Sequence, residues 1–346
     1  MIKKLLLFLF SLFIGIGLFI WIGKVVGWEK IKDAFLVFTG WQGLTIFGLT
    51  GLMMAVGNWK WKEILRSQNV KISFWRLSEF YLAGFALVFL VPIVVFGGEI
   101  FRSYILKEKG LVPWVKGLAS IIIDRILEWT TNLAVIFLGI LFFLYKIGLP
   151  PKNLAIIFGG VFLLFVIGIS FFYFKIFKKE SIAGIFLRSS GLKNSNHNSS
   201  ILDVEREIFN FFKPKVRSMW KGFGLSFLRA TIMYFRAWLL IVFLGRTIGA
   251  LPALSVLSFS YLAAMIPIPA ALGTHEVIQS FAFNSLGLGT SYATAFTMII
   301  RGAELIFALI GLAFLLRFGL GWLRGLLFEK IDNFNQRVNH ENEDSN

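Results

Sequence analysis

The sequence predicts an all-α polytopic membrane protein with about six spanning helices plus two broken or re-entrant hairpins in an inverted repeat. Three observations support this fold class. The chain is 57% hydrophobic and only 16% charged, whereas soluble domains carry about 25% charged residues. Its apolar segments recur at a length that crosses about 30 Å of hydrocarbon. Two further apolar segments are interrupted by proline and glycine, which break helices.

Six uninterrupted apolar segments are candidates for spanning helices, since each is long enough at a rise of about 1.5 Å per residue. They are 5–23, 41–58, 117–145, 153–175, 222–246 and 290–316. The interrupted segments are 78–96, which contains Pro92, and 252–286, which contains Pro267, Pro269 and Gly273. We expect one transmembrane domain over 1–338, a cytoplasmic loop at 176–221 that is flexible around Ser189–Ser200, and a polar tail at 339–346.

The lysines and arginines predict the orientation of the spans. If each hairpin returns to the side from which it enters, 25 of the 35 basic residues face the cytoplasm and 6 face outward. Cytoplasmic loops carry such an excess. Lys60 is counted here in an inner loop at 59–77. We therefore expect a multi-pass protein of the cell membrane with both termini in the cytoplasm.

A pattern of five residues occurs twice. Glu follows Pro by seven residues, Gly follows that Glu by eleven, and an Arg-x-x-Glu motif comes next. The first copy comprises Pro92, Glu99, Gly110, Arg125 and Glu128, and the second comprises Pro269, Glu276, Gly287, Arg301 and Glu304. On the predicted topology, the units at about 78–145 and 252–316 have opposite orientations. Inverted repeats with broken helices are typical of alternating-access transporters.

The composition of the chain also argues against several classes of function. The net charge of +16 comes from residues between apolar segments, so we expect membrane phospholipids and no nucleic acid as partners. The absence of cysteine excludes disulfides and thiolate chemistry. The sequence contains no GxxxxGK, HExxH or GxSxG motif, and we expect neither an enzyme nor a cofactor or metal site. A homo-oligomer remains open, and Gly159-Gly160 is interpreted as a helix-packing contact.

Nine charged residues in or near the apolar segments are candidate substrate-binding residues. Each costs about 2.5–3.5 kcal/mol in hydrocarbon, so they should pair and face a polar interior. They are Arg125, Arg301, Arg236, Glu99, Glu276, Asp124, Glu128, Glu304 and Arg102. Arg229 is also expected within the hydrocarbon, on the same helix face as Arg236 and two turns before it. In one interpretation, Arg125 and Arg301 bind an anionic headgroup in a central cavity while Glu99 and Glu276 hold the hairpins. In the other, all nine form ion pairs that fix the broken helices.

The motif Gly97-Gly98-Glu99-x-x-Arg102, followed by Asp124-Arg125, resembles the lysylphosphatidylglycerol synthase transmembrane family of flippase-like proteins. The later Gly273-x-x-Glu276 element fits as well, so the resemblance covers nearly the whole chain. It implies translocation of an anionic or polyprenyl-linked lipid. The soluble synthase domain is not in this sequence, so lysyl transfer is not implied. The alternatives are an ion-coupled carrier of a small polar anion and an accessory protein or enzyme of envelope lipid biosynthesis.

Overall fold

In the computed structural model, the described part of the chain forms ten α-helices and no strand. This all-helical structure confirms the predicted fold class. The described residues are 40–90, 97–178, 180–182, 184, 196–213, 215–265 and 274–343. The helices are α1 (Trp41–Ser67), α2 (Phe74–Leu90), α3 (Gly97–Glu108), α4 (Trp114–Lys146), α5 (Lys152–Lys178), α6 (Asn196–Phe211), α7 (Arg217–Phe243), α8 (Ala250–Met265), α9 (Thr274–Ser285) and α10 (Thr290–Glu343).

Within the described residues, four stretches are long and apolar enough to cross a membrane: α4, α5, α7 and the Thr290–Phe318 part of α10. They confirm four of the six predicted spans. The candidate 41–58 lies in α1, which is 27 residues long but less apolar than those four. The candidate 5–23 lies outside the described residues. Helices are the expected solution because hydrocarbon offers the backbone no other hydrogen-bond partner.

The inner loop predicted at 59–77 begins later than expected. Helix α1 continues without a break to Ser67, and Lys60 within it is only 1% exposed. The assignment of Lys60 to a loop was therefore wrong, because proximity to an apolar segment does not reveal how far its helix continues. Arg102, counted among the inner cations too, is also buried. The remaining 23 inner cations preserve the bias on which the orientation rests.

Helices α2 and α3 form a tight antiparallel hairpin. A Cβ at Gly98 would lie 2.1 Å from the carbonyl oxygen of Gly84 and 2.5 Å from Val88, while a Cβ at Gly84 would lie 2.5 Å from Arg102. Residues later in α2 thus contact residues earlier in α3, which shows that the two helices run antiparallel. With 12 residues, α3 is about 18 Å long and too short to cross the hydrocarbon. This geometry agrees with a re-entrant hairpin; the predicted break at Pro92 lies outside the described residues.

The second interrupted segment also forms a longer helix followed by a short one. Helix α8 has 16 residues, and α9, which packs against it, has 12. Gln279 of α9 donates hydrogen bonds to the Val256 carbonyl and to Ser260, both on α8. The predicted breaks at Pro267, Pro269 and Gly273 fall outside the described residues. Its return to the side from which it enters, either as a re-entrant hairpin or as two short spans, remains a prediction.

The two predicted units end their hairpins in the same turn. Gly110 and Gly287, which the repeat pattern aligns, have φ values of +64° and +72°. The residue after each glycine donates its N–H to the carbonyl five positions earlier, as in a Schellman cap. Each turn then leads into a long apolar helix, α4 or α10. These shared features support the duplication, while the inverted orientation remains a prediction.

The long helix of each unit packs against the first hairpin helix of the other. A Cβ at Gly139 on α4 would lie 1.9 Å from Ser258 on α8. A Cβ at Gly311 on α10 would lie 2.1 Å from the Leu82 carbonyl oxygen on α2. Small residues allow such close helix contacts in membranes. Because each long helix packs against a helix of the other unit, the two units depend on each other structurally.

Two expectations about the periphery need correction. The predicted loop 176–221 contains α6, which packs Val204, Ile208 and Phe211 against α4. Its apolar positions recur at three- and four-residue spacing, and burial of that face stabilises a helix within the predicted loop. Of the stretch predicted to be flexible, residues 196–200 form the start of α6 and residues 189–195 lie outside the described residues. On α5, a Cβ at Gly159 or Gly160 would meet no described atom within 4 Å. Their interpretation as packing contacts is therefore wrong within the described chain.

Candidate substrate-binding site

Helix α4 supplies the centre of a buried charged cluster. Asp124 is 2% exposed and lies between two cations from different helices. Its Oδ1 lies 2.9 Å from Lys60 Nζ of α1, and its Oδ2 lies 3.7 Å from an amino nitrogen of Arg102 of α3. Helices α1, α3 and α4 therefore converge on this one carboxylate.

The guanidinium of Arg102 is also held by aromatic rings. It lies 4.9 Å from the ring centre of Trp61 and 5.1 Å from that of Tyr81. Aromatic faces attract cations, and more strongly where water is excluded. The Trp61 indole donates in turn to the Ser120 hydroxyl at 3.0 Å. Arg102 is thus fixed on several sides and only 3% exposed.

Arg125 connects the first hairpin to α4. One amino nitrogen lies 2.9 Å from Glu99 of α3, and the other lies 3.3 Å from Glu128, three residues along α4. Glu99 stands in the first turn of α3, where a negative charge also interacts favourably with the helix dipole. The pair supports the expectation that Glu99 holds the hairpin, and it shows Arg125 serving a structural contact as well.

Glu128 has three basic neighbours. Besides Arg125, it bonds to Arg229 of α7 and lies 4.0 Å from Lys60. A cavity of about 10 Å³, the space of one water molecule, adjoins this carboxylate. Its polar lining includes Ser226, whose buried hydroxyl has no hydrogen-bond partner in the structure. Glu128 thus ties α7 to the cluster.

Seven charged side chains make up what we call the central cluster: Lys60, Glu99, Arg102, Asp124, Arg125, Glu128 and Arg229. Among the described side chains, it holds four cations but three carboxylates. Arginine keeps its charge under all ordinary conditions. The Arg125 side chain, 28% exposed, is the most accessible of the four cations. The cluster therefore offers an excess positive charge to an anion approaching Arg125.

A separate pair lies further along α7. An amino nitrogen of Arg236 lies 3.0 Å from Glu304 of α10, and the other donates to the Thr50 hydroxyl at 3.2 Å. Arg301 is half-buried on the same helix as Glu304. Glu276 belongs to α9, but its side chain lies outside the described part. The predicted meeting of Glu99, Arg125, Glu276 and Arg301 in one cavity therefore remains a prediction.

The structure brings five of the nine candidates together in the central cluster: Glu99, Arg102, Asp124, Arg125 and Glu128. Sequence reasoning missed one further member, Lys60, and expected the other, Arg229, among the membrane-embedded charges without making it a candidate for substrate binding. A signal for Lys60 existed, because no Gly or Pro separates Asn58 from Ser67 and the helix had no reason to stop. Among the described residues, no group of three acidic, His or Cys side chains is placed to hold a metal ion.

The proteins that this chain resembles are membrane proteins, in agreement with its apolar helices. A family described as "Lysylphosphatidylglycerol synthase TM region" matches residues 8–311. A "UPF0104 membrane protein" of Pyrococcus horikoshii is 26% identical over 258 residues, which cover 70% of this chain and 76% of that protein. No solved structure matches the chain at a significant level. The match over residues 8–311 shows that this chain belongs to the lysylphosphatidylglycerol synthase transmembrane-region family.

Proposed function

We propose that the protein translocates an anionic lipid across the membrane and that Arg125 contacts its headgroup. The excess positive charge of the central cluster carries this proposal, because a buried surplus cation is stabilised by an anion at its open side. Arg125 also has a buried Nε without a hydrogen-bond partner. A guanidinium can bond a phosphate through two parallel N–H groups. The proposal assigns no catalytic role to any residue.

Family membership supports a function connected with membrane lipids. The two hairpin units support a translocating mechanism, since each long helix packs against the other unit's hairpin and a movement in one must be accommodated in the other. In this mechanism, Glu99 and Glu128 compete with the headgroup for Arg125. The headgroup would contact Arg125 when one of these carboxylates moves away, and the ion pairs would re-form after its release.

We propose a location in the cell membrane with both termini in the cytoplasm. The natural chain has no cysteine, so single cysteines can report its topology. Arg206→Cys on α6 and Lys152→Cys at the start of α5 both replace exposed side chains. In intact cells, an impermeant thiol reagent should label only the position at 152. Labelling at 206 would contradict the proposed orientation.

Reconstitution tests the proposed function. The purified protein is placed in vesicles containing fluorescent phosphatidylglycerol, phosphatidylcholine or a polyprenyl phosphate, and a membrane-impermeant quencher reports the lipid in the outer leaflet. We expect the anionic lipids to reach the outer leaflet faster than in protein-free vesicles, and faster than phosphatidylcholine. Asp203→Asn, which alters an exposed charge on α6, should match the unmodified protein.

Two results would contradict the proposal. Anionic lipids that move no faster than in protein-free vesicles would exclude lipid translocation under these conditions. Uptake of a soluble anion such as inorganic phosphate, without any lipid movement, would instead support a carrier of small polar anions.

A further inference from the structure

Helix α7 bonds corresponding carboxylates of both units. In α4, Glu128 follows Arg125 by three residues and pairs with Arg229. In α10, Glu304 follows Arg301 by three residues and pairs with Arg236. Glu128 and Glu304 each lie 14 positions after the first residue of their helix. A single helix outside the repeat units therefore supplies one arginine to each unit at equivalent sites.

The two arginines lie on one face of α7. A separation of seven residues corresponds to two turns, or about 10.5 Å along the axis. Tyr261 of α8 lies beside this path, because it lines the small cavity at Arg229 and donates a hydrogen bond to Met233, between the two arginines. Lipid headgroups have a size comparable with this spacing, so a bound phosphate could move from one arginine to the other in a short step.

Arg236 has unused binding capacity. It is only 3% exposed, yet its Nε is buried without a hydrogen-bond partner. Its carboxylate partner Glu304 is more accessible, with 21% of its side chain exposed. Glu304 can therefore move away from Arg236 toward water more easily than the buried Arg236 can move away from Glu304. Thr50, whose hydroxyl donates to the Ile46 carbonyl at 2.8 Å and accepts from Arg236 at 3.2 Å, would keep the guanidinium in place.

We propose that Arg236, oriented by Thr50, forms a second binding site, or station, for the phosphate of the translocated lipid. The anion passes from Arg125 to Arg229, which share Glu128 as a partner, and then replaces Glu304 as the partner of Arg236. This inference rests on the proposed function and adds a residue that acts after headgroup capture. The ligand chemistry is a phosphate monoanion, which either a lipid headgroup or free phosphate could supply.

The test distinguishes binding of the headgroup at Arg125 from its later transfer to Arg236. The double variant Arg236→Gln/Glu304→Gln removes both charges together and avoids stranding a buried ion. We measure its melting temperature in detergent with short-chain phosphatidylglycerol or inorganic phosphate, and its transport of fluorescent phosphatidylglycerol in vesicles. We expect the short-chain lipid to raise the melting temperature as in the unmodified protein, while translocation falls at least about tenfold, the equivalent of one charged hydrogen bond.

Arg236→Lys provides a second variant should the double variant fail to fold. It retains the charge but loses the planar donor fork, and the same loss of translocation is expected. Normal translocation by either folded variant would overturn the second station. If the unmodified protein shows neither stabilisation by the short-chain lipid nor lipid movement, the proposed function itself fails. Equal stabilisation by inorganic phosphate would identify free phosphate as the ligand and also count against lipid transport.

Discussion

Asp124→Asn is expected to lower the melting temperature in detergent strongly. Asp124 is the direct partner of Lys60 at 2.9 Å and neighbours Arg102 at 3.7 Å, and all three side chains are nearly inaccessible. Its neutralisation strands two buried cations at once and increases the positive excess of the cluster. Breaking a buried pair in this way costs about 3–5 kcal/mol.

Lys60→Met provides the matching test. Alone, it leaves three cations and three carboxylates in the central cluster, so we expect a smaller loss of stability than for Asp124→Asn. In the double variant Lys60→Met/Asp124→Asn, part of the lost stability should return, because Lys60 no longer remains as a buried cation while only Arg102 loses its carboxylate neighbour. Asp203→Asn is the surface control: its pair with Arg206 is exposed, and such pairs contribute about 0–1 kcal/mol. A loss for Asp124→Asn no larger than for Asp203→Asn would contradict the structural account.

Much of this fold could be predicted because hydrocarbon leaves few alternatives. Long apolar segments must be helical, and four of the predicted spans coincide with helices of the structure. The proline and glycine positions predicted the two hairpins, and the aligned Gly110 and Gly287 adopt the same positive φ. The pairing of Arg125 with Glu128 followed from their spacing along one helix.

Contacts between distant segments could not be obtained in this way. Lys60 and Asp124 are 64 positions apart, and periodicity within one segment does not show which helices become neighbours. The same limit applies to Arg229 and Glu128. Glu99 and Arg102 lie three residues apart on α3, yet they pair with different residues of α4. Helix α6 was missed because its apolar positions are few and lie within a polar stretch.

Arg125→Lys is expected to reduce translocation strongly while leaving the protein folded. The ammonium retains the charge that balances Glu99 and Glu128, so the hairpin remains connected to α4. It cannot reproduce the planar fork that bonds a phosphate through two donors. Loss of one hydrogen bond to a charged group corresponds to roughly 1.5–3 kcal/mol, or at least about a tenfold slower transfer.

The most direct test of the proposed function is the rate at which fluorescent phosphatidylglycerol crosses vesicles containing the unmodified protein or Arg125→Lys. The rate and the melting temperature are measured on the same preparations at equal protein-to-lipid ratio. We expect similar melting temperatures and a rate at least about tenfold lower for the variant. Equal rates at equal stability would contradict a headgroup contact at Arg125 and would leave its pairs with Glu99 and Glu128 as purely structural.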